Sequence, residues 1–323
     1  MSTVCRPMRF PPATAAALLL GLCLAFAPAA KAQQVPDSTF LPGMAAPSHA
    51  PGEGPVVLID EAHWNFHTAS GRYLPFTRML ERDGYRVRPN RVPFAPGSLA
   101  DARVLVIANA LPNTGDWVLP TRPAFTSAEV RAVRDWVRAG GSLWLIADHM
   151  PFPGAAVDLA QAFGIEFING FALDSLGRAG VAVFRRSDGS LAAHVVLDGR
   201  GVADRVDSVM TFTGQGFRLK SGGEPLLRLD GRFTIWLPAR AWDFGKDTRR
   251  MSGKGLLQGA LLEPGRGRVA VFGEAAMFSA QLGGPQRSPM GMNFPGAEQN
   301  GRFALNLLRW LTAAPGPASP AAR

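Results

Sequence analysis

The sequence contains little cysteine: its 323 residues include only Cys5 and Cys23. Both lie within residues 1–32, where basic residues precede an apolar run and a small-x-small pattern ends at Ala32. This arrangement is typical of a signal peptide cleaved after Ala32, so we expect a periplasmic or secreted protein. The mature chain would then have no thiol, which excludes disulfides, a thiol nucleophile and thiolate metal ligands.

Long apolar runs are also absent beyond this segment, so we expect no transmembrane segment in the mature chain. Lysine is scarce, and scattered arginines account for most of the net charge of +9. A nucleic-acid-binding protein would cluster its basic residues among aromatic ones, so no nucleic acid is expected as a partner. An anionic envelope surface remains a candidate partner.

The organisation of the chain is indicated by shifts in composition. Residues 33–54 are rich in Pro, Ala, Gly and Ser and are predicted to form a disordered leader, and residues 313–323 a disordered tail. Between them, residues 55–312 are predicted to form one α/β domain. Within this domain, short alternating runs at about residues 165–240 predict a β-rich antiparallel insertion.

Four short apolar runs have the character of buried parallel strands: Val56–Asp60, Arg103–Ala108, Ser142–Ala147 and Arg268–Glu274. Helical patterns lie between several of them, and Thr126 to Glu129 has the spacing of a capping box. Alternation of strands and helices predicts an open, mostly parallel sheet.

Three segments carry a resemblance to a known group: "WVRAGGSLWLIADH", "AHVVLDGR" and "GRVAVFGEAAMFSAQ", the last followed by "QNGRFALNLLRWL". They resemble the class I glutamine amidotransferase-like group, in particular the domain of unknown function DUF4350. ThuA-like proteins and the domain of gliding and intraflagellar-transport proteins are similar. The resemblance covers most of residues 55–312 and implies a flavodoxin-like α/β fold, an open mostly parallel sheet with helices on both faces and a small antiparallel β insertion.

The sequence departs from this group in its chemistry. A mature chain without cysteine lacks the nucleophile of glutamine amidotransferases, which excludes that activity. The G-x-S-x-G serine elbow and the P-loop pattern are absent as well. The fold alone therefore does not indicate a reaction.

Polar residues follow three of the predicted strands, and the ends of parallel strands meet at one edge of a sheet, where sites form. These residues are Asp60, Glu61, His63, His67, Asp148, His149 and Glu274.

Two kinds of function fit these residues. In the first, Asp60, His63, His67 and His149 bind a divalent metal, Zn or Mn, and Glu61, Asp148 and Glu274 are the catalytic acid or base. Hydrolysis of an ester, an amide or a glycan substituent would follow, with or without the metal.

In the second, the protein is a non-catalytic module that binds a small molecule, a glycan or an envelope partner. Carboxylates at strand ends often accept backbone N–H groups of the next helix, which is an ordinary structural role for Asp148 and Glu274. Trp64, Trp117 and Trp242 fall in predicted loops, where they could form stacking platforms for a sugar.

Overall fold

A computed structural model describes residues 34–113, 115, 117–177 and 180–314. The predicted signal peptide lies outside these residues, as does most of the predicted tail. Within the described part, no helix combines the length and hydropathy needed to cross a bilayer.

The secondary structure consists of many short strands and few helices. The strands are β1 Val35–Pro36, β2 Val56–Asp60, β3 Arg86–Asn90, β4 Val104–Ala108, β5 Ser142–Ile146, β6 Ile165–Phe167, β7 Phe171–Asp174, β8 Val181–Arg185, β9 Ser208–Phe212, β10 Phe217–Leu219, β11 Glu224–Arg228, β12 Phe233–Leu237, β13 Arg249–Ser252, β14 Leu257–Leu262, β15 Arg268–Phe272, β16 Ala280–Gly283 and β17 Ser288–Gly291. The α-helices are α1 Leu74–Arg82, α2 Ser127–Arg138, α3 Phe152–Ala155, α4 Val157–Gln161, α5 Val195–Asp198 and α6 Asn300–Thr312.

The main sheet has nine strands, and only one half of it is parallel. The order β3-β2-β4-β5-β15 is parallel throughout. All residues of β2, β4 and β5 are buried, as the continuous apolar runs predict. The carboxyl ends of these strands therefore lie at one edge.

The other half of the sheet corrects the predicted fold class. Strand β14 pairs antiparallel with β15 and β11, and β10 pairs antiparallel with β14 and β6. The prediction of a mostly parallel, flavodoxin-like sheet with helices on both faces is therefore wrong: the sheets are mixed and curled, and only 19% of the described residues are helical. The physical reason is that β14, with six buried residues, has the same apolar character as a parallel strand. Burial on both faces does not determine strand direction.

Smaller sheets complete the structure. Strands β13, β12 and β7 form one, and β8 pairs with β9. Strand β1 pairs with β16 and β16 with β17, so the segment expected to be a disordered leader contributes a strand to a third small sheet.

Two hydrophobic clusters pack against the main sheet, and alternate residues of β2 contribute to each. Phe278 is central to the first. Its ring lies 4.9 Å from Trp144 of β5, 5.1 Å from Phe272 of β15 and 6.2 Å from Phe303 of α6. All four side chains are fully buried, so Phe278 connects helix α6 to the middle of the sheet.

Replacing this side chain should test the importance of the cluster. We expect Phe278→Ala to lower the free energy of unfolding by about 3–5 kcal/mol, because it removes a buried ring and leaves a cavity. Chemical denaturation followed by circular dichroism measures the change. Val202→Ala is the control, since Val202 is 91% exposed and its loss should cost less than about 0.5 kcal/mol. An equal effect of both variants would contradict the packing described here.

Candidate functional site

The polar residues at the carboxyl edge of the parallel strands fall into two groups. Asp60 and His63 belong to the first, together with Glu129 of α2. His67, Asp148, His149 and Glu274 belong to the second. Glu61 lies apart from both, on the wall of a cavity.

His63 is held between two carboxylates. Its Nδ1 lies 2.8 Å from Asp60 Oδ2 and its Nε2 lies 2.8 Å from Glu129 Oε1. Phe94 and Phe125 pack against the ring, with centroids 4.7 Å away in both cases. When both carboxyl groups are ionised, both ring nitrogens donate, so this arrangement stabilises the imidazolium form of His63.

The pKa of His63 is raised as a result. Burial alone would lower the pKa, but hydrogen bonds and charges from Asp60 and then Glu129 outweigh it. Glu129 also accepts the N–H and the hydroxyl of Thr126, so the predicted capping box is present. With both nitrogens occupied, His63 has no lone pair left for a metal in this arrangement.

His67 is linked to the second group through Asn109. The side chain of Asn109 accepts the backbone N–H of Asp148 at 2.9 Å, which directs its amide nitrogen toward His67 Nδ1 at 3.2 Å. His67 Nδ1 therefore accepts, and the neutral ring carries its proton on Nε2, which has no hydrogen-bond partner among the described residues. Burial, then Arg72 and His149, hold the pKa of His67 well below its usual value.

Asp148 and Glu274 are bound mainly by backbone groups. Glu274 is fully buried and accepts the N–H groups of Ala276 and Met277, both at 2.7 Å. Asp148 accepts the N–H of His149 at 2.7 Å and that of Ala275 at 3.4 Å.

Both carboxyl groups have raised pKa values. Burial raises the pKa of Asp148, and burial together with the charge of Asp148 raises that of Glu274 well above the usual range. Tyr73 packs in the same region, where burial and these two charges raise the pKa of its phenol. Asp148, Glu274 and Tyr73 therefore join His63 and His67 as groups of the site with shifted pKa values, which are common at functional sites.

Glu61 faces a cavity of 490 Å³, but its carboxylate already has partners. One oxygen accepts the N–H of Ala69 at 3.0 Å, and the other lies 3.1 Å from Arg91 Nε. Trp64, Asn65, Arg72 and Trp117 also line this cavity, whereas Asp148 and Glu274 do not.

His149 lies among aromatic rings at the surface. Its Nδ1 donates to the carbonyl of Met150 at 2.8 Å, so a neutral ring has its lone pair on Nε2. The ring stacks on Phe171 at 4.6 Å and meets Trp242 edge-on, also at 4.6 Å. Trp117 lies 6.2 Å away.

We call the row formed by Trp117, His149, Phe171, Trp242 and Phe244 the aromatic row. Trp242 is 53% exposed and Phe244 36% exposed, and both contact Phe171. At its other end, Trp117 borders the cavity that Trp64 also lines. The aromatic row therefore connects the exposed rings of Trp242 and Phe244 to the cavity, through the buried ring of Phe171 and the half-buried rings of His149 and Trp117.

The seven predicted site residues thus do not converge on one point. Within the described part of the chain, no group of three or more His, Asp or Glu side chains is arranged to hold a metal ion. Metal binding by Asp60, His63, His67 and His149 stays a prediction, and the contacts above favour other roles for these residues.

Two residues of the site were not singled out from the sequence. Asn109 is absent from the predicted site residues, although it directly follows the buried strand β4. Its left-handed backbone, with φ of 57°, could not be inferred from the residue pattern. Glu129 was recognised as a capping residue, but its second contact, with His63, spans 66 positions.

Comparison with known proteins shows one structure of similar fold with a TM-score above 0.5 and indicates no function. No family model and no curated protein matches the sequence. The N-terminal domain of mmIFT52 is similar in structure, with a TM-score of 0.56 and 13% identity over 80% of this chain and 98% of that domain. A ThuA-like protein from Bacteroides uniformis is also a structural neighbour, with a TM-score of 0.44 and 16% identity over 83% of this chain and 93% of that one.

A cytoplasmic protein from Salmonella typhimurium has a TM-score of 0.48 and 14% identity, over 81% of this chain and all of that one. The resemblance inferred from the sequence is therefore supported only in part. A ThuA-like protein is a neighbour, while no family model confirms DUF4350 or the glutamine amidotransferase-like group.

The pKa values of the two buried histidines should be shifted in opposite directions from the ordinary value. We expect the imidazole of His63 to titrate above about pH 6.5 and that of His67 below it, as measured by NMR. The contribution of His63 to stability is complete below about pH 6.5 and is lost as the pH rises through its folded-state pKa. Glu129→Gln should lower the pKa of His63 and leave His67 unchanged. A His63 that titrates below pH 6.5 in the native protein would contradict this account.

The bridge made by Asn109 should matter for stability. Asn109→Ala leaves the N–H of Asp148 and Nδ1 of His67 without their partner, and we expect a loss of about 2–4 kcal/mol in urea denaturation. Asn109→Gly removes the same bonds, but glycine tolerates the positive φ. This variant should therefore be about 1 kcal/mol more stable than Asn109→Ala, because it lacks the backbone strain of alanine, and still less stable than the native protein. If Asn109→Gly were as stable as the native protein, the side-chain bridge would have no energetic role.

Proposed function

We propose that this protein is a non-catalytic ligand-binding module and that its ligand is a carbohydrate. One observation carries the proposal: exposed aromatic rings, those of Trp242 and Phe244 and that of Trp64, flank a row of packed aromatic side chains at the carboxyl edge of the parallel strands. Such an edge is where ligands bind in sheets of this kind.

The chemistry of the aromatic row suits a sugar. The C–H faces of a sugar ring pack on aromatic rings, and its hydroxyl groups bond to polar groups at the ring edges. Here the rings of Trp242 and Phe244 lie beside each other, and Trp242 contacts His149. In the neutral ring, Nε2 of His149 can accept a hydrogen bond from a hydroxyl group of the sugar. Burial of the row on binding would also remove apolar area from water.

The backbone supports the same proposal. Trp64 has a φ of 44° and Trp242 a φ of 68°, in the left-handed region that bulky residues rarely adopt. Strain of this kind concentrates at binding and active sites, where the surrounding structure enforces it. Both residues are also more than half exposed, so the strain does not serve core packing.

The contacts of the carboxyl groups favour binding over catalysis. A general acid or base must reach the substrate, but Glu274 is fully buried and accepts two backbone N–H groups. Asp148 is 7% exposed and is bound in a similar way.

Hydrolysis by acid/base chemistry is the second candidate, because the raised pKa values of Asp148 and Glu274 are also typical of catalytic carboxylic acids. Release of product distinguishes the two candidates. A purified protein that binds an oligosaccharide and returns it intact after prolonged incubation supports a binding module. Cleavage that is lost in both Asp148→Asn and Glu274→Gln would support a hydrolase.

The proposed location fits this ligand. If the predicted signal peptide directs export, the protein would meet glycans of the cell envelope in the periplasm or outside the cell. This assignment rests on the sequence alone and is tested by fractionation of cells that express the full chain.

Removing one ring should weaken binding. We expect Trp242→Ala to reduce affinity for a bound oligosaccharide at least tenfold, about 1.4 kcal/mol, as measured by isothermal titration calorimetry. Trp242→Phe keeps a stacking face and should retain most of the affinity. Val202→Ala removes an exposed side chain elsewhere and is the control. Unchanged affinity in Trp242→Ala would exclude the aromatic row as the binding surface.

A further inference from the structure

The cavity beside the aromatic row is lined by a positive charge, that of Arg72, which no described residue neutralises. Nine residues line its 490 Å³, and the charged ones are Glu61 and Arg72. Glu61 is already paired with Arg91 and with a backbone N–H group. Arg72 forms no ion pair with any of the described residues, so Glu61, its partner Arg91 and Arg72 together carry a net positive charge.

The guanidinium of Arg72 is held in place without being neutralised. Its carbon lies 3.7 Å above the ring of Phe66, and its Nη1 donates to the carbonyl of Phe66 at 3.0 Å. Its Nε has no hydrogen-bond partner among the described residues, and burial lowers the pKa of the group. A partly buried cation without a counter-ion favours an anionic ligand.

Asn65 is a second donor on the same wall. Its side chain is 8% exposed, and its oxygen accepts the backbone N–H of His63 at 3.2 Å, which fixes its orientation. The amide nitrogen has no partner among the described residues. A buried polar atom without a partner is uncommon, and a ligand that accepts hydrogen bonds would satisfy it.

Three of the remaining residues of this wall are aromatic. Trp64, which is 59% exposed, and Trp117 line the cavity together with Phe66. A cation beside flat apolar faces suits a ligand that has a ring and a negative group. Trp117 also belongs to the aromatic row, so one ligand could occupy both.

We propose, on the basis of the carbohydrate-binding function proposed above, that the ligand is an acidic saccharide. A carboxylate of the sugar pairs with Arg72 and accepts from Asn65, while sugar rings pack on Trp64 and Trp117. Arginine suits this role because its planar guanidinium presents several N–H donors to a carboxylate. Glu61 is the acidic residue among those that line the wall, and its ion pair with Arg91 reduces its repulsion of an anionic ligand.

The test compares acidic tetrasaccharides with neutral forms of the same sugars. Four probes are used: galacturonate, glucuronate-containing, mannuronate and guluronate tetrasaccharides, each beside its carboxyl-reduced counterpart. Titration calorimetry should show at least one acidic form binding about tenfold or more tightly than its reduced form. This preference should decrease as salt is added.

Variants of the arginine identify the source of the preference. Arg72→Gln should remove the preference for the acidic form and leave the affinity for the reduced form, while Arg72→Lys should keep part of the preference. Arg78→Gln is the matched control, because Arg78 is an exposed arginine of α1, the helix that begins two residues after Arg72. Thermal unfolding of each variant verifies that it is folded.

The outcomes separate the two proposals. Equal binding of acidic and reduced forms, or a preference that survives Arg72→Gln, would overturn the acidic ligand but not the carbohydrate-binding function. Tight binding of a sulfated tetrasaccharide but of none of the carboxylates would overturn the carboxylate assignment. Failure of every acidic and reduced probe to bind would count against both proposals.

Discussion

Burial of polar groups at the carboxyl ends of the parallel strands is the constraint on which the site depends. In a region of low dielectric an unpaired polar group costs more than a hydrogen bond returns, so partners within the protein stabilise most of these groups. Asn109 provides for two of them, joining the backbone of Asp148 to the ring of His67. Glu274 binds the turn that follows β15. The loops above the sheet are thereby held in one arrangement, and they carry the exposed rings and Arg72.

The parallel strands of the fold could be predicted from the sequence, and an antiparallel β segment was expected at about residues 165–240, but the joining of its strands to the main sheet through β14 could not be predicted. Val56–Asp60 and Ser142–Ile146 are short apolar runs with helices between them, and both form buried parallel strands as expected. Strand β14 has equally buried residues but runs antiparallel, because its direction depends on long-range pairing with β15 and β11. No local pattern of residues records that pairing. The capping box at Thr126 is local, and it was predicted correctly.

The sequence predicted where the site lies in the fold, but it did not predict which side chains contact one another there. Polar residues at strand ends indicate an edge where sites form, and the seven predicted residues do lie near that edge. Their partners are distant in sequence: His63 meets Glu129, and Asp148 meets Asn109 and Ala275. These contacts give the expected metal ligands and acids partners within the protein, which favours structural roles, and metal binding and catalysis by them stay predictions. The aromatic row joins residues from Trp117 to Phe244, so only its separate tryptophans were visible beforehand.

The most direct test of carbohydrate binding at this edge is an NMR titration that follows the indole N–H signals of the seven tryptophans. An acidic tetrasaccharide is added to the native protein, and each indole reports on its own surroundings. The account predicts that the signals of Trp64, Trp117 and Trp242 shift in a saturable way. Those of Trp136, Trp144 and Trp310, which lie elsewhere, should stay in place. A shift confined to Trp310, or no saturable shift with any of the acidic or reduced tetrasaccharides, would contradict it.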